Sequence, residues 1–322
     1  MTTRRVFTGF DFSESSVDHH TNARQPVSEK SKPSVGMIGL GIMGSAMSKN
    51  LIDAGFPVVG HDIAEPALAR FADMGGRAAG SVGEVATEAD VLITSLPSTA
   101  ALRDVVGKLR GAGRMERVLA ETSTFPLDAK ITARQELEEI GIVMLDCPLS
   151  GSGSQALLRD VLVYASGAKD AYDCCLPVFH GFSRAPHYLG PFGNGSKMKY
   201  VANLLVAIHT AAAGEAFTMA RKVGLDPAQM FEVVADGAGS SRALQVRGEM
   251  LIADNYTQIR TMPLELWRKD MQIIADFANS MTCPTPMFSA AVPLFNAAVA
   301  SGYGDQDTAA VCAVLERMAG LT

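Results

Sequence analysis

The chain has 322 residues, of which 48% are hydrophobic and 19% charged, enough for roughly two domains with substantial cores. A formal net charge of -6 argues against a nucleic-acid partner, which draws on clustered Lys and Arg, and no uninterrupted apolar run reaches the roughly 18 residues of a membrane span. Five cysteines, an odd number without a Cys-x-x-Cys pair, point to a reduced cytoplasmic setting.

Residues 1–34 mix charges, Ser, Thr and a His19-His20 pair without periodicity and read as a disordered extension. Neither a secretory signal nor a transit peptide fits them. From Val35 the pattern changes. Val35 to Ile38 is a buried-strand run, Gly39-Leu40-Gly41-Ile42-Met43-Gly44 follows, Met43 to Ala54 has helical spacing, Gly55 ends it, and Val58-Val59 opens a second strand ending near Asp62. In this order each glycine has its own use. Gly39 permits the tight turn, Gly41 lets backbone approach a diphosphate, and Gly44 lets the helix lie close. The diphosphate sits on unpaired N–H groups at the helix start. Asp62 lies 21 positions past Gly41, near the spacing at which a carboxylate meets the adenosine ribose. That carboxylate repels a 2′-phosphate, so the cofactor expected is NAD, with NADP as the other possibility; Asp62 could instead cap a helix beginning near Glu65.

Strand-like and helix-like pieces alternate to about Leu189: Val91 to Ser95, Val118 to Thr122 and Ile142 to Asp146 are strands, with helical stretches such as Leu127 to Ile140 between them. Such a rhythm predicts an α/β fold of Rossmann type, a doubly wound, mostly parallel sheet. Val161 to Ser166 and Pro186 to Leu189, with a helix from Lys169 to Phe179 between them, are expected to extend it. Ligands collect beyond the carboxyl ends of such strands, where Gly39, Leu96-Pro97, Ser123-Thr124 and Ser150-Gly151 all fall. Past Gly195 the spacing turns helical through Met318, an all-α domain entered through a long interdomain helix from Ser196 to about Val223, near 40 Å in length, ended by Gly224 and Pro227. Asp305 or Asp307 caps the last helix. The domains expected are 35–195 for the dinucleotide and 196–322 for substrate and oligomerisation, the long apolar helix favouring a homodimer or homotetramer.

Lys199 and Asn203 are four apart, on one helix face directly after a glycine loop. An alcohol losing hydride needs a partner for its hydroxyl proton, and a desolvated lysine serves; on spacing alone, a solvated helix lysine like Lys197 or Lys222 is the commoner outcome. Among the rest, Arg242 either meets a substrate carboxylate or sits on a surface loop. His209 reads as a hydrogen-bonded core histidine, Trp267 as an apolar anchor and Cys174-Cys175 as a buried pair, with no metal spacing around any of them.

Taken together, these motifs resemble the β-hydroxyacid dehydrogenase family, which includes enzymes of 3-hydroxyisobutyrate, L-threonate, tartronate semialdehyde and glyoxylate/succinic semialdehyde. The resemblance runs from about Val35 to Gly320. It is carried by the glycine turn, by Asp146-Cys147-Pro148-Leu149-Ser150-Gly151-Ser152 where the family usually has Asp-Ala-Pro-Val-Ser-Gly-Gly, by Gly193-x-Gly195-x-x-x-Lys199-x-x-x-Asn203, and by Lys269-Asp270. The likeness implies that Lys199 and Asn203 are catalytic, that Ser150, Gly151 and Ser152 hold the substrate carboxylate, and that Leu96, Pro97, Thr124 and Lys269 reach the cofactor. In the helical half the closest likeness is to L-threonate dehydrogenases, through His209, Gly214-Glu215-Ala216, Gly237-Ala238-Gly239 and Ser301-Gly302-Tyr303-Gly304. Ser152, Cys147 and Leu149 depart from the family pattern and bear on substrate size and polarity. The function implied is NAD(P)-dependent oxidation of a small 3-hydroxy acid. Its alternatives are a semialdehyde reductase, an imine or phosphogluconate-type reductase, and a nucleotide-bound interaction module without catalysis.

Overall fold

The computed structural model describes residues 32–257 and 261–321; most of the extension expected over 1–34 lies outside them. Its last residue, Ser34, is already tied into the fold, its N–H and hydroxyl both donating to Asp90 Oδ2 at 2.8 Å.

The first half runs β1 (Val35–Ile38), α1 (Ile42–Asp53), β2 (Val58–His61), α2 (Glu65–Asp73), β3 (Arg77–Ala78), α3 (Val82–Glu88), β4 (Val91–Thr94), α4 (Thr99–Gly111), β5 (Arg117–Glu121), α5 (Leu127–Glu138) and β6 (Ile142–Asp146). These six strands form one parallel sheet in the order β3-β2-β1-β4-β5-β6. Strands β1 and β4 are buried at every residue, as parallel strands covered on both faces must be. One apolar core packs α1 against the sheet and a second packs α3, α4 and α5 against the other face. The order reverses direction between β1 and β4, the crevice where such sheets bind ligands. Register sharpens this: Ile38 pairs with Thr94, Thr94 with Glu121, and Glu121 with Asp146. Four strands therefore end in one row, and their loops leave at one level.

The later strands do not extend this sheet. β7 (Leu149–Ser150), α6 (Gly153–Leu157), β8 (Leu162–Ala165), α7 (Lys169–Phe182) and β9 (Ala185–Tyr188) make a separate sheet, β7 antiparallel to β8 and β8 parallel to β9. Pro148, which has no N–H to give a ladder, separates β6 from β7, and the short return through α6 allows only antiparallel pairing with β8. A bridge of two backbone bonds, Asp146 N to Ser166 O and Ser166 N to Asp146 O, joins the two sheets. Cys174 and Cys175 are not a buried pair: helical rotation exposes the first and buries the second.

The second half contains α8 (Asn194–Lys222), α9 (Pro227–Asp236), α10 (Arg242–Ala253), α11 (Leu264–Ser280), α12 (Pro286–Ala298) and α13 (Val311–Met318). By length and composition α8 could cross a membrane; here it is the central helix, packed by α10, α11, α12 and α13 around the third apolar core. Gly224 ends it with φ +79°, and Asp226 caps α9 through Gln229 N at 2.8 Å. Trp267 is buried in this core against Phe295, whereas His209 is only half-buried and, among the described residues, has no hydrogen-bond partner. Of the two candidate caps for the last helix, Asp307 receives Ala309 N at 2.9 Å, at the head of the 3-10 turn leading into α13. The same carboxylate accepts Thr261 N at 2.6 Å, Met262 N at 3.1 Å and Arg247 Nε at 3.2 Å. It fastens the segment 261–263 onto the helices.

Candidate active site

The glycine turn after β1 separates into three environments. Gly39 has φ +95° and a Cβ there would lie 2.2 Å from Ser95 O; a Cβ on Gly44 would lie 1.9 Å from Gly39 O; a Cβ on Gly41 would meet nothing within 4 Å. Two glycines are thus required by the protein itself, and the third keeps a surface open beside the first turn of α1. Asp62 fixes the turn's far side, accepting Leu40 N at 2.6 Å on one oxygen and Ala64 N at 2.8 Å on the other. It does not cap α2, whose N-cap is Ala64 without a side-chain bond. Further along the row of strand ends, Leu96 N donates to Ser123 Oγ at 2.9 Å.

These loops form one wall of a cleft of about 840 Å³. Gly39, Gly41, Ile42, Met43, Asp62, Leu96, Pro97 and Thr124 line it, together with Gly151, Ser152, Lys199 and Lys269. Four expected residues do not. Leu40 is buried beneath the turn, Gly44 packs under Gly39, Ser150 lies outside the lining, and Asn203 sits behind Lys199. The Ser152 hydroxyl is occupied as an acceptor: it accepts Gln155 N at 3.3 Å in a reciprocal capping box, and it shares a 2.9 Å contact with Ser154 Oγ in which either hydroxyl can donate. Arg242 is no part of the cleft. Its exposed guanidinium reaches Asp160 at 3.6 Å.

Lys199 departs from the solvated pattern of Lys197. It is 7% exposed, lines the cleft, and among the described residues its amine has no hydrogen-bond partner. Burial pushes its pKa down; the Asp270 carboxylate opposes that, and the Lys269 ammonium adds to it. Asp270 is the residue sequence reasoning underweighted. It is buried, accepts Asn203 Nδ2 at 3.0 Å and lies 3.6 Å from Lys269 Nζ. Its own pKa is raised by burial against the pull of both lysines. Asn203 therefore reaches the amine's surroundings through Asp270 and not by lining the cleft itself. Lys269 donates to Thr124 O at 3.0 Å and stands 5.3 Å over the Phe125 ring, joining α11 to the loop after β5. Thr261, Met262 and Pro263, also unforeseen, close the cleft on that side.

An amine held neutral more easily than in water, in the same cleft as a dinucleotide turn, can exchange a proton with an alcohol or carbonyl while hydride moves. The open surface at Gly41 fits a diphosphate. Fold and site thus define a nicotinamide-dependent oxidoreductase. Comparison with known proteins narrows the class. Residues 34–190 match the family model of the NAD binding domain of 6-phosphogluconate dehydrogenase, and residues 193–315 that of the NAD-binding region of NADP-dependent 3-hydroxyisobutyrate dehydrogenase. An L-threonate dehydrogenase of Cupriavidus necator is 31% identical over 282 residues, 86% of this chain and 94% of that one. The chloroplastic glyoxylate/succinic semialdehyde reductase 2 of Arabidopsis thaliana is 29% identical, over 88% of this chain and 79% of its own. The crystal structure of a 3-hydroxyisobutyrate dehydrogenase from Salmonella typhimurium superposes with a TM-score of 0.79 at 28% identity, over 88% of this chain and all of that one. The chain belongs to the β-hydroxyacid dehydrogenase family and is an NAD(P)-dependent dehydrogenase of hydroxy acids.

Proposed function

We propose that the substrate is a small 3-hydroxy acid, oxidised at its hydroxyl with Lys199 as proton acceptor, and that a four-carbon polyhydroxy acid such as threonate fits best. The observation that carries the chemistry is the position of Lys199: a buried amine with lowered pKa in the cleft that the glycine turn opens. The threonate preference rests on the relatives of that name at 31% identity.

In this reading the carboxylate of the acid lies along Gly151-Ser152, the part of the Ser150-Gly151-Ser152 stretch that lines the cleft, where the Ser152 N–H is held by Gln155 Oε1 and the Ser152 hydroxyl serves the cap as an acceptor. The substrate hydroxyl gives its proton to neutral Lys199, and in the reverse direction the ammonium returns it to the carbonyl oxygen. Asn203 holds Asp270, and Asp270 with Lys269 sets the charge around the amine. The bound nicotinamide supplies the hydride acceptor. Thr124 and Lys269 border its place, and Thr261 to Pro263 shield it from water. Asp62 favours NAD over NADP: its oxygens keep lone pairs for ribose hydroxyls, and its charge opposes a 2′-phosphate. The outward face of α8, with exposed Met198, Val201, Leu205 and Met219, is the surface on which two copies would pair, and the negative balance fits a cytoplasmic enzyme with no nucleic-acid or membrane partner.

The test is a panel of 3-hydroxy acids, including L-threonate and 3-hydroxyisobutyrate, with NAD and then NADP, read as reduced-nicotinamide absorbance. One acid should stand well above the others in kcat/KM. No turnover with any acid, nor with the matching semialdehydes and NADH, contradicts the proposal and leaves the nucleotide-bound module.

A further inference from the structure

Glu121 and Asp146, the last residues of β5 and β6, face each other in register and are fully buried. Two carboxylates this close and out of water cannot both stay ionised unless a cation joins them. The cation is Lys130 of α5, with 0% side-chain exposure, its Nζ 2.6 Å from Glu121 Oε2 and 2.8 Å from Asp146 Oδ1. Burial pulls its pKa down, but the two carboxylates outweigh this and hold it above the ordinary lysine value. Lys130 lines no part of the cleft, and the proposed chemistry does not use it.

The remaining oxygens show what the triad holds. Glu121 Oε1 accepts Ser123 N at 2.9 Å, and Ser123 Oγ in turn holds Leu96 N. That carboxylate therefore fixes the two loops bordering the nicotinamide end, including Thr124, whose carbonyl receives Lys269. Asp146 accepts Ser196 N at 2.7 Å and Ser196 Oγ at 2.8 Å, while Ser166 Oγ, beside Asp146, accepts Gly195 N at 2.9 Å. This seats the first turn of α8 on the end of β6, three residues before Lys199. Gly195 must lack a side chain to sit there, since a Cβ would lie 2.3 Å from Tyr164 O and 2.6 Å from Asp146 O. Tyr200, next to Lys199, spans the same gap by donating its hydroxyl to Phe125 O at 2.6 Å.

We infer that Lys130 is a positioning residue: by drawing the ends of β5 and β6 together through their carboxylates, it sets the spacing between the Ser123-Thr124 loop and the helix turn that carries Lys199. The inference rests on the proton-acceptor role proposed for Lys199. A buried ion triad thereby aligns proton acceptor and hydride acceptor, whose mutual placement governs rate far more than affinity.

The test uses the full chain and the double variant Lys130→Met, Glu121→Gln. The wild-type triad carries one net negative charge (one lysine, two carboxylates), and the double variant keeps one on Asp146, which loses its cation but retains the bonds from Ser196 N and Ser196 Oγ. NADH binding is read by energy transfer from Trp267, the single tryptophan. The chemical step is read as single-turnover NADH formation, enzyme in excess, with whichever of L-threonate and 3-hydroxyisobutyrate the wild type oxidises faster. Misplacement lowers the rate constant at saturating enzyme and NAD, whereas a partly unfolded population leaves that constant unchanged and lowers the number of NADH sites per chain. The expected result is a rate constant about 10- to 100-fold lower, with NADH stoichiometry and affinity close to wild type. A wild-type rate constant, or a loss confined to NADH stoichiometry, overturns the inference. Should the double variant not fold, Glu121→Gln alone, which keeps Lys130 on Asp146, is read by the same two criteria. A wild type that oxidises neither acid removes the functional reading together with the inference; an active wild type with an unaltered variant removes the inference alone.

Discussion

Gly41→Ala tests where the cofactor diphosphate lies. At Gly41 φ is -67° and ψ is -163°, an extended conformation open to alanine, and the added methyl meets nothing within 4 Å. Folding therefore feels two small opposed effects. Reduced freedom of the unfolded chain favours alanine by roughly 0.4–1 kcal/mol, and alanine is the poorer N-cap. The net stays below about 1 kcal/mol, a melting shift of at most about 2–4 °C. Cofactor binding loses more, because the methyl takes the space through which a diphosphate approaches the helix start. Losing one hydrogen bond to a charged group costs about 1.5–3 kcal/mol, or roughly 10- to 150-fold in Kd. Gly44→Ala should do the reverse. Its Cβ would lie 1.9 Å from Gly39 O and 3.0 Å from the Gly39 carbonyl carbon, backbone atoms with nowhere to go, so a penalty of about 1–3 kcal/mol or more falls on folding. Thermal melts paired with fluorescence titration of NADH separate the two. Wild-type NADH affinity in a stable Gly41→Ala enzyme would refute the reading of the turn.

Three further outcomes follow from the site. Oxidation needs the neutral form of Lys199, so kcat/KM for the acid rises with pH through its pKa; Lys269→Met removes a lowering influence and moves that limb to higher pH, while Asp270→Asn removes a raising one and moves it to lower pH. Limbs that shift together, or not at all, contradict the assignment. Asp62→Asn keeps an amide oxygen for the turn but removes the charge, a term of about 1–4 kcal/mol against a 2′-phosphate, so the ratio of kcat/KM for NAD over NADP should drop by at least about fivefold; an unchanged ratio assigns the selectivity elsewhere. Asp307→Ala strips the buried Arg247 of its carboxylate, which costs about 3–5 kcal/mol, and frees Thr261 and Met262, so the melting temperature should fall and the KM for the acid rise. A lower melting temperature with an unaltered KM would mean that 261–263 does not shape the substrate end.

The dinucleotide turn was legible because its glycines, flanking strand and helix are contiguous, and each local rule points the same way. The row of strand ends followed from strict alternation of strand and helix. Pairing partners were not legible: Val161 to Ser166 looks like any buried strand, and only the proline at 148 hinted that the chain would turn back. Ser152 carried a readable signal, since Ser-x-x-Gln is the spacing of a capping box, yet the resemblance drew attention to substrate instead. Spacing put Lys199 and Asn203 on one face, but the turn between them carries Asn203 deeper, to Asp270. Lys130 was invisible for a physical reason. A lysine on an amphipathic helix reads as solvent-facing, and the carboxylates that bury it come together only through the register of β5 and β6. Cys174 shows the same limit, because adjacent helix positions point about 100° apart and composition does not say which one faces the core.

Most depends on the amine at position 199, and Lys199→Ala measured for turnover and NADH affinity in the same preparation addresses it directly. The expected result is a loss of about 10²- to 10⁴-fold in turnover, with NADH binding and melting temperature close to wild type. Turnover within about tenfold of wild type would contradict the claim that this amine carries the proton.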